Sequence, residues 1–276
     1  MPASNDSNQR RLPAGRKAAL ATYVAEMGQV TVADLAERFD VSADTIRRDL
    51  DQLDADGVLI RTHGGAISPQ AVPRPDTAMD VRLRLQTLAK DQIGASAARL
   101  VQDGAAIMVN AGTTTLALAK HLSEHRDLTI ATNSLRIPTE ISPLAVRDLY
   151  VFGGAVRLSA QATVGPVAFA GTDGFERDIR CDLALIGVGA VSATAGFSTS
   201  NLGEATMMRA MIDRADRVAV LADATKFGRR LFAVIAGFDR VDYLVTDQEP
   251  PADLAAALRV GDVEVVLPGA QGPEQP

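Results

Sequence analysis

The sequence predicts an α/β chain in two parts: a small helical part closed by a β-hairpin, then a larger, mainly parallel α/β part. Three observations predict it. Between Arg16 and Asp56, helix-spaced apolar residues recur in three short stretches, each followed by a turn signal. The stretch Val58 to Ile67 reads as two β-prone pieces around the Gly64-Gly65 turn. From residue 91 to 270, apolar β runs alternate with helical patterns, as in a parallel sheet flanked by helices.

The 276 residues suffice for one large domain or two ordinary ones, and 47% of them are hydrophobic. One cysteine, Cys181, excludes an internal disulfide and fits a reducing compartment. No apolar run approaches the roughly 20 residues needed to span a bilayer. Arg10-Arg11 is not followed by an apolar signal region, because Pro13, Arg16, Lys17 and Glu26 interrupt it. The expectation is a cytoplasmic protein without a membrane segment.

Residues 1–15 are polar and aperiodic and are read as a disordered tail. Arg10, Arg11, Arg16 and Lys17 offer an arm for phosphates, with a plain solvated tail as the alternative. Ala19, Leu20, Tyr23, Val24 and Met27 then repeat at helical spacing until Gly28. Thr31 opens a second helix, with Asp34 in a capping-box position and Val32, Leu35, Ala36 and Phe39 as its buried stripe. Asp40-Val41 makes a turn, and Ser42 caps a third helix that Gly57 ends.

On that third helix Ile46, Leu50 and Leu53 share one face. At about 100° per residue Arg48 points away from it, with Thr45 and Arg47 at the sides. Helix, turn, helix and basic hairpin in this order make a winged helix-turn-helix over residues 16–68. Arg48 is the best base-edge candidate, because a guanidinium pairs bidentately with guanine. Thr45 and Gln52 are also in reach of bases. Ser42, Arg47, Arg61 and His63 suit phosphates or the minor groove. Their structural alternatives are a cap for Ser42, an ion pair with Asp44 or Asp51 for Arg47, and turn chemistry for His63. Asp49, beside the buried stripe, is expected to hold an arginine or a backbone amide. Bulk charge gives no help: the first 70 residues hold eight Lys/Arg against ten Asp/Glu, and the whole chain carries −6.

The Pro-rich stretch 69–76 reads as a stiff linker. A long helix is expected after Asp76, through Met79, Val81, Leu83, Leu85, Leu88, Ile93, Ala97 and Leu100 to Gly104. The second part, residues 77–270, carries strands expected at 105–109, 128–132, 149–152, 182–188, 217–222, 242–246 and 263–267. Helices are expected at 113–123, 135–141, 202–215 and 252–259. In such sheets ligands gather beyond the carboxyl ends of the strands.

Gly112-Thr113-Thr114-Thr115 follows the first of these strands and opens a helix. A glycine, three hydroxyls and free helix amides together suit a phosphate. No Gly-Lys-Ser/Thr follows, so it is not a nucleotide loop. Polar clusters follow other strands at Thr132-Asn133-Ser134, Gly153-Gly154, Gly187-Val188-Gly189, Asp223-Ala224-Thr225-Lys226 and Thr246-Asp247. Asn133 suits sugar hydroxyls and Lys226 a phosphate. Asp182, Glu204, Asp223 and Asp247 are possible hydroxyl acceptors; capping and loop-tying are the alternative for each. The histidines are scattered, no metal-ligand cluster is present, and no cofactor is expected.

These residues resemble the DeoR family of bacterial transcription regulators. The resemblance rests on Val41-Ser42-Ala43-Asp44-Thr45-Ile46-Arg47-Arg48-Asp49-Leu50, Leu53, Gly57, Leu59 and Arg61-Thr62-His63-Gly64-Gly65-Ala66. It continues through Gly112 to Thr115, Thr132 to Ser134, Gly153-Gly154, Gly187, Glu204, Ala210 to Ile212, Asp223 and Lys226-Phe227-Gly228. It implies a winged helix joined to a sensor domain similar to ribose-5-phosphate isomerase. It also implies a homo-oligomeric repressor of carbohydrate genes, dimer or tetramer, that leaves double-stranded operator DNA when a phosphorylated sugar binds. Gly112, Thr113, Thr114 and Thr115 would hold the phosphate, with Asn133, Gly153, Asp182, Glu204 and Lys226 around the sugar. Two positions depart from the family: Asn110 stands where Asp is usual, and Met208 where lysine is common. The alternatives are a transcriptional activator, or an isomerase-like enzyme with Glu204 or Asp182 as its base.

Overall fold

The computed structural model describes residues 13–71, 78–170, 176–177 and 179–269. Residues 1–12 of the expected tail, with Arg10 and Arg11, and residues 72–77 of the expected linker lie outside the described residues. The chain divides into two compact units, Met1–Gln86 and Thr87–Pro276.

The first unit is built from α1 (Pro13–Met27), β1 (Gln29–Thr31), α2 (Val32–Phe39), α3 (Ala43–Ala55), β2 (Ile60–Thr62), β3 (Gly65–Ile67) and α4 (Met79–Arg84). Thr31 and Asp34 form the reciprocal capping box at the start of α2. Asp40 ends α2 in the left-handed region, at φ 53°. Leu20, Val24, Leu35, Ile46, Leu50 and Leu59 are buried together as the core of the three helices. The sequence reading missed β1, which makes the hairpin a three-stranded sheet in the order β1-β3-β2. It also changes the meaning of the glycine pair. The hairpin turn is His63-Gly64, and Gly65 already pairs with both Thr62 and Thr31. A Cβ on Gly65 would come within 1.9 Å of the Val30 carbonyl oxygen, so this glycine serves close strand approach.

Asp49 holds an arginine, as expected: its Oδ2 accepts from Arg16 Nε at 2.6 Å, and both side chains are buried. Arg16 therefore belongs to the core and is removed from the phosphate-arm group. On the last turn of α3, Asp54 accepts the Arg61 amide at 2.8 Å and the Arg84 guanidinium on both oxygens, at 2.6 and 3.3 Å. Burial works to raise the Asp54 carboxyl, but these bonds outweigh it and hold the group below 3.8.

The expected single helix from 76 to 104 is two helices. Leu85 is fully buried against Ile60 and Ile67, and Gln86 takes φ 51°, which breaks the helical run. The second helix, α5 (Thr87–Ala98), opens the second unit.

That unit carries the seven expected strands as one sheet. They are β4 (Ala106–Val109), β5 (Leu128–Thr132), β6 (Val146–Val151), β11 (Cys181–Gly187), β14 (Ala215–Leu221), β16 (Tyr243–Val245) and β17 (Glu264–Val266). All pair in parallel, in the order β17-β16-β14-β11-β4-β5-β6. Runs such as Leu183 to Ile186 and Val218 to Leu221 are buried throughout, because both faces of a parallel sheet are covered. Helices α6 (Thr113–His121), α7 (Ile137–Glu140), α8 (Leu202–Ile212) and α9 (Ala252–Val260) fall where the sequence placed them. The smaller pieces were not foreseen. They are the hairpin β7 (Ala155–Arg157) with β8 (Ala162–Val164), the pair β9 (Phe169–Ala170) with β10 (Glu176–Arg177), and the antiparallel set β12 (Ala190–Ser192), β13 (Gly196–Thr199) and β15 (Ala233–Ala236). From β4 the sheet grows outward through β5 and β6, then on the other side through β11. The winding therefore switches between β4 and β11.

Two outcomes follow. Asp49→Ala leaves the Arg16 charge buried and is expected to cost about 3–5 kcal/mol, read from the urea midpoint of the first unit's transition. Burial is the main cause that pushes the Cys181 thiol up to about 12. The native protein should therefore resist a thiol-alkylating reagent near neutral pH and react only after unfolding.

Candidate nucleic-acid interface and sheet-end site

The turn between α2 and α3 presents the N-terminal face of α3. Ser42 caps it: its Oγ accepts the Thr45 amide at 3.2 Å and lies 2.9 Å from Thr45 Oγ1. Arg47 pairs with Asp44 at 2.5 Å, the structural alternative weighed for it, and Gln52 donates to Asp56 at 3.0 Å. Arg48 is exposed, and among the described residues it has no hydrogen-bond or ion-pair partner. Its donors are thus available to a base edge without breaking an existing bond.

Arg61 departs from the expected phosphate contact. Its Nε lies 3.1 Å from Asp51, and Nη1 donates to the carbonyls of Thr62 and, at 2.8 Å, Gly65. The guanidinium thus braces the wing from inside, because the hairpin's own carbonyls take its donors. His63 stays exposed at the wing tip. Asp44 and Asp51 neutralise Arg47 and Arg61, which accounts locally for the unfavourable charge balance.

In the second unit, the carboxyl ends of β4, β5, β11 and β14 gather the expected polar loops. Gly112 is the N-cap of α6 and no side chain caps the helix. The first amides of α6, at Thr113 to Thr115, therefore lack a side-chain cap. Thr115 is fully buried and its hydroxyl donates back to the Asn110 carbonyl at 2.7 Å, which shapes the loop. Thr113 is half-buried and Thr114 buried. Asn133 works behind the loop: its Oδ1 accepts the Ala111 amide at 2.7 Å and its Nδ2 donates to Thr163 at 2.8 Å. It ties β4's loop to β8 through one donor and its acceptor oxygen.

The departure at Asn110 has a geometric reason. Its amide bridges the switch point in both directions, donating to the Gly187 carbonyl at 2.9 Å and accepting the Gly187 amide at 2.8 Å. An ionised aspartate could accept but not donate. Gly187 lies directly against this bridge and Thr115.

Asp223 is buried, caps its own loop through Thr225, and holds Lys226 with its ammonium 4.0 Å away. Asp247 supports the same loop by accepting the Ala224 amide at 2.8 Å. Glu204, in the first turn of α8, pairs with Arg157 of β7 at 2.8 Å and accepts Thr199 at 3.3 Å. Arg157 was not singled out from the sequence, since nothing local marks an arginine in a three-residue strand. It supplies a counter-ion to Glu204, while Met208, one turn along α8, is buried in the core. Gly153 is exposed in the turn after β6, and Gly154 beside it takes φ 129° and lies so close to β8 that a Cβ would strike the Val164 carbonyl.

Asp182 is corrected. It sits at the amino end of β11, and its carboxylate accepts the Ala106 amide at 2.7 Å. It borders a cavity of about 340 Å³ with Asp103, Asp216 and Arg217, at the end of the sheet opposite the loops above. The strand begins at Cys181, so Asp182 starts the strand and cannot lie at its carboxyl end. Among the described residues no group of His, Cys, Asp and Glu could hold a metal ion. No helix there is long and apolar enough to cross a membrane.

Comparison with known proteins agrees with both halves. A DeoR-like helix-turn-helix domain matches residues 16–72, and the DeoR C-terminal sensor domain matches residues 85–248. The HTH-type transcriptional repressor CsqR of Escherichia coli (strain K12) is 32% identical over 249 residues, 90% of this chain and 93% of its own. The glycerol-3-phosphate regulon repressor of the same strain is 28% identical, over 88% of this chain and 94% of its own. Among solved structures, ribose 5-phosphate isomerase from Plasmodium falciparum aligns over 50% of this chain and 52% of its own, at 12% identity and TM-score 0.35. With both domains matched in order and full-length relatives above 30% identity, the chain belongs to the DeoR family of transcriptional regulators.

Proposed function

We propose that this protein is a repressor of carbohydrate-metabolism genes whose grip on double-stranded operator DNA is relieved by a phosphorylated sugar. The observation that carries the first half is the free Arg48 on the outer face of α3, beside an exposed wing tip. With Arg47 and Arg61 neutralised internally, one copy offers little net positive charge. A homo-oligomer, dimer or tetramer, supplies a second α3, and half-sites then lie one helical turn of about 34 Å, or a multiple, apart.

The uncapped start of α6 at Gly112 to Thr115 carries the second half. Its amides suit a phosphate, and Lys226, in the loop after β14 at the same end of the sheet, brings a cation. Glu204 and Arg157 offer an acceptor and donors for hydroxyls. The names of the relatives support the same class, since one is the repressor of a glycerol-3-phosphate regulon. The enzyme alternative loses its two bases: Glu204 is held in an ion pair, and Asp182 lies at the other end of the sheet.

A gel-shift titration of the operator complex with a panel of sugar monophosphates tests the reading. Release by at least one compound is expected; no release by any removes the induction claim. Arg48→Ala is expected to cost about 1–3 kcal/mol and to relax specificity at one base position, measured on operators varied base by base. Lys226→Ala should keep operator affinity while shifting the effector midpoint to higher concentration in the same titration.

A further inference from the structure

The division between the two units falls at Gln86–Thr87, after the Pro-rich stretch. Ser68 donates its amide to the Gly28 carbonyl at 2.8 Å, at the stop of α1. Gln86 returns to the same place: its amide donates to the Pro69 carbonyl at 3.1 Å, and its side chain to the Gln70 carbonyl at 2.7 Å. The first unit thus extends to Gln86, and the second begins at Thr87.

Between those anchors α4 is fastened to the DNA-reading elements twice. Leu85 is fully buried against Ile60 of β2 and Ile67 of β3. Arg84 grips Asp54 of α3 through both guanidinium ends. The same carboxylate accepts the Arg61 amide in β2. One side chain thus holds α3, the wing and α4 together. A bidentate pair fixes orientation as well as distance.

We propose that Asp54 and Arg84 are positioning residues for operator reading: they make α4 part of the reading unit, so that Gln86–Thr87 is the hinge through which the sensor unit turns α3. This rests on the induction proposed above. A movement of α5 at Thr87 reaches α4 through a single left-handed residue. With α4 locked to Asp54, the movement is delivered to the last turn of α3 and to the wing. With α4 released, the movement is absorbed before it reaches them.

The test uses the full chain, an operator fragment selected from genomic DNA, and the sugar monophosphate that releases the wild type most strongly. Wild-type release is expected on the order of 5- to 150-fold in operator affinity. Arg84→Ala should bind the same compound with an unchanged midpoint in a thermal-shift titration, yet release operator about twofold or less. Arg84→Lys, which keeps the charge and loses the fork, should fall between the two. An Arg84→Ala protein that binds the compound and is released as fully as wild type overturns the proposal. Should no compound release the wild type, the induction reading fails, and the hinge is judged on operator binding alone. Operators with half-sites moved apart by single base pairs should then be rejected by the wild type and tolerated by Arg84→Ala. Equal rejection by both overturns the hinge.

Discussion

The reciprocal bond between the Asn110 side chain and the Gly187 backbone sits where the sheet reverses its winding. Strands β4 and β11 lie side by side, yet 77 residues separate the two bonded groups. Both strands end at this point, and the loop that follows β4 must turn at once into α6. The Asn110 amide satisfies both backbone groups of Gly187, a donor and an acceptor, where the two strands end. Thr115 and Asn133 then fix the loop from inside, leaving the first amides of α6 without a side-chain cap. The anion-suited surface is a by-product of how the sheet end is closed.

The reading unit follows a different economy. Its acids are not scattered at random over a DNA-facing surface. Asp49 holds Arg16 in the core, Asp44 and Asp51 take up Arg47 and Arg61, and Asp54 joins the wing to α4. Nearly every carboxylate on α3 thus orients an arginine or an amide. Such pairs contribute modestly to stability when exposed, but they set geometry, and geometry is what base reading needs. Arg48 is left exposed on α3 with no internal partner among the described residues, which is why the proposed reading of DNA is centred on it.

Much of this was legible beforehand. The α2 capping box, the Ser42 cap, the Ile46–Leu50–Leu53 stripe and the partner role of Asp49 all depend on residues a turn or so apart, or on one helix face. All seven main strands were visible as apolar runs because both faces of a parallel sheet are buried. The sugar contact implied for Asp182 came from the family resemblance and not from strand position: the expected strand 182–188 already put Asp182 at its amino end, and pairing with β4 and β14 keeps it there. Arg61 and Asn133 both hold backbone: Arg61 donates to the Thr62 and Gly65 carbonyls of its own hairpin, and Asn133 to the Thr163 carbonyl 30 residues away.

By itself the sequence determined the two-part architecture, the helix that reads and the loop that suits a phosphate, since periodicity, caps and glycines act over a few residues. Only the tertiary structure decided that Arg157 meets Glu204, that Asn110 meets Gly187 and that Arg84 meets Asp54. Those contacts join residues 30 and more positions apart. No local pattern encodes such contacts, because chain folding and not spacing brings the groups together.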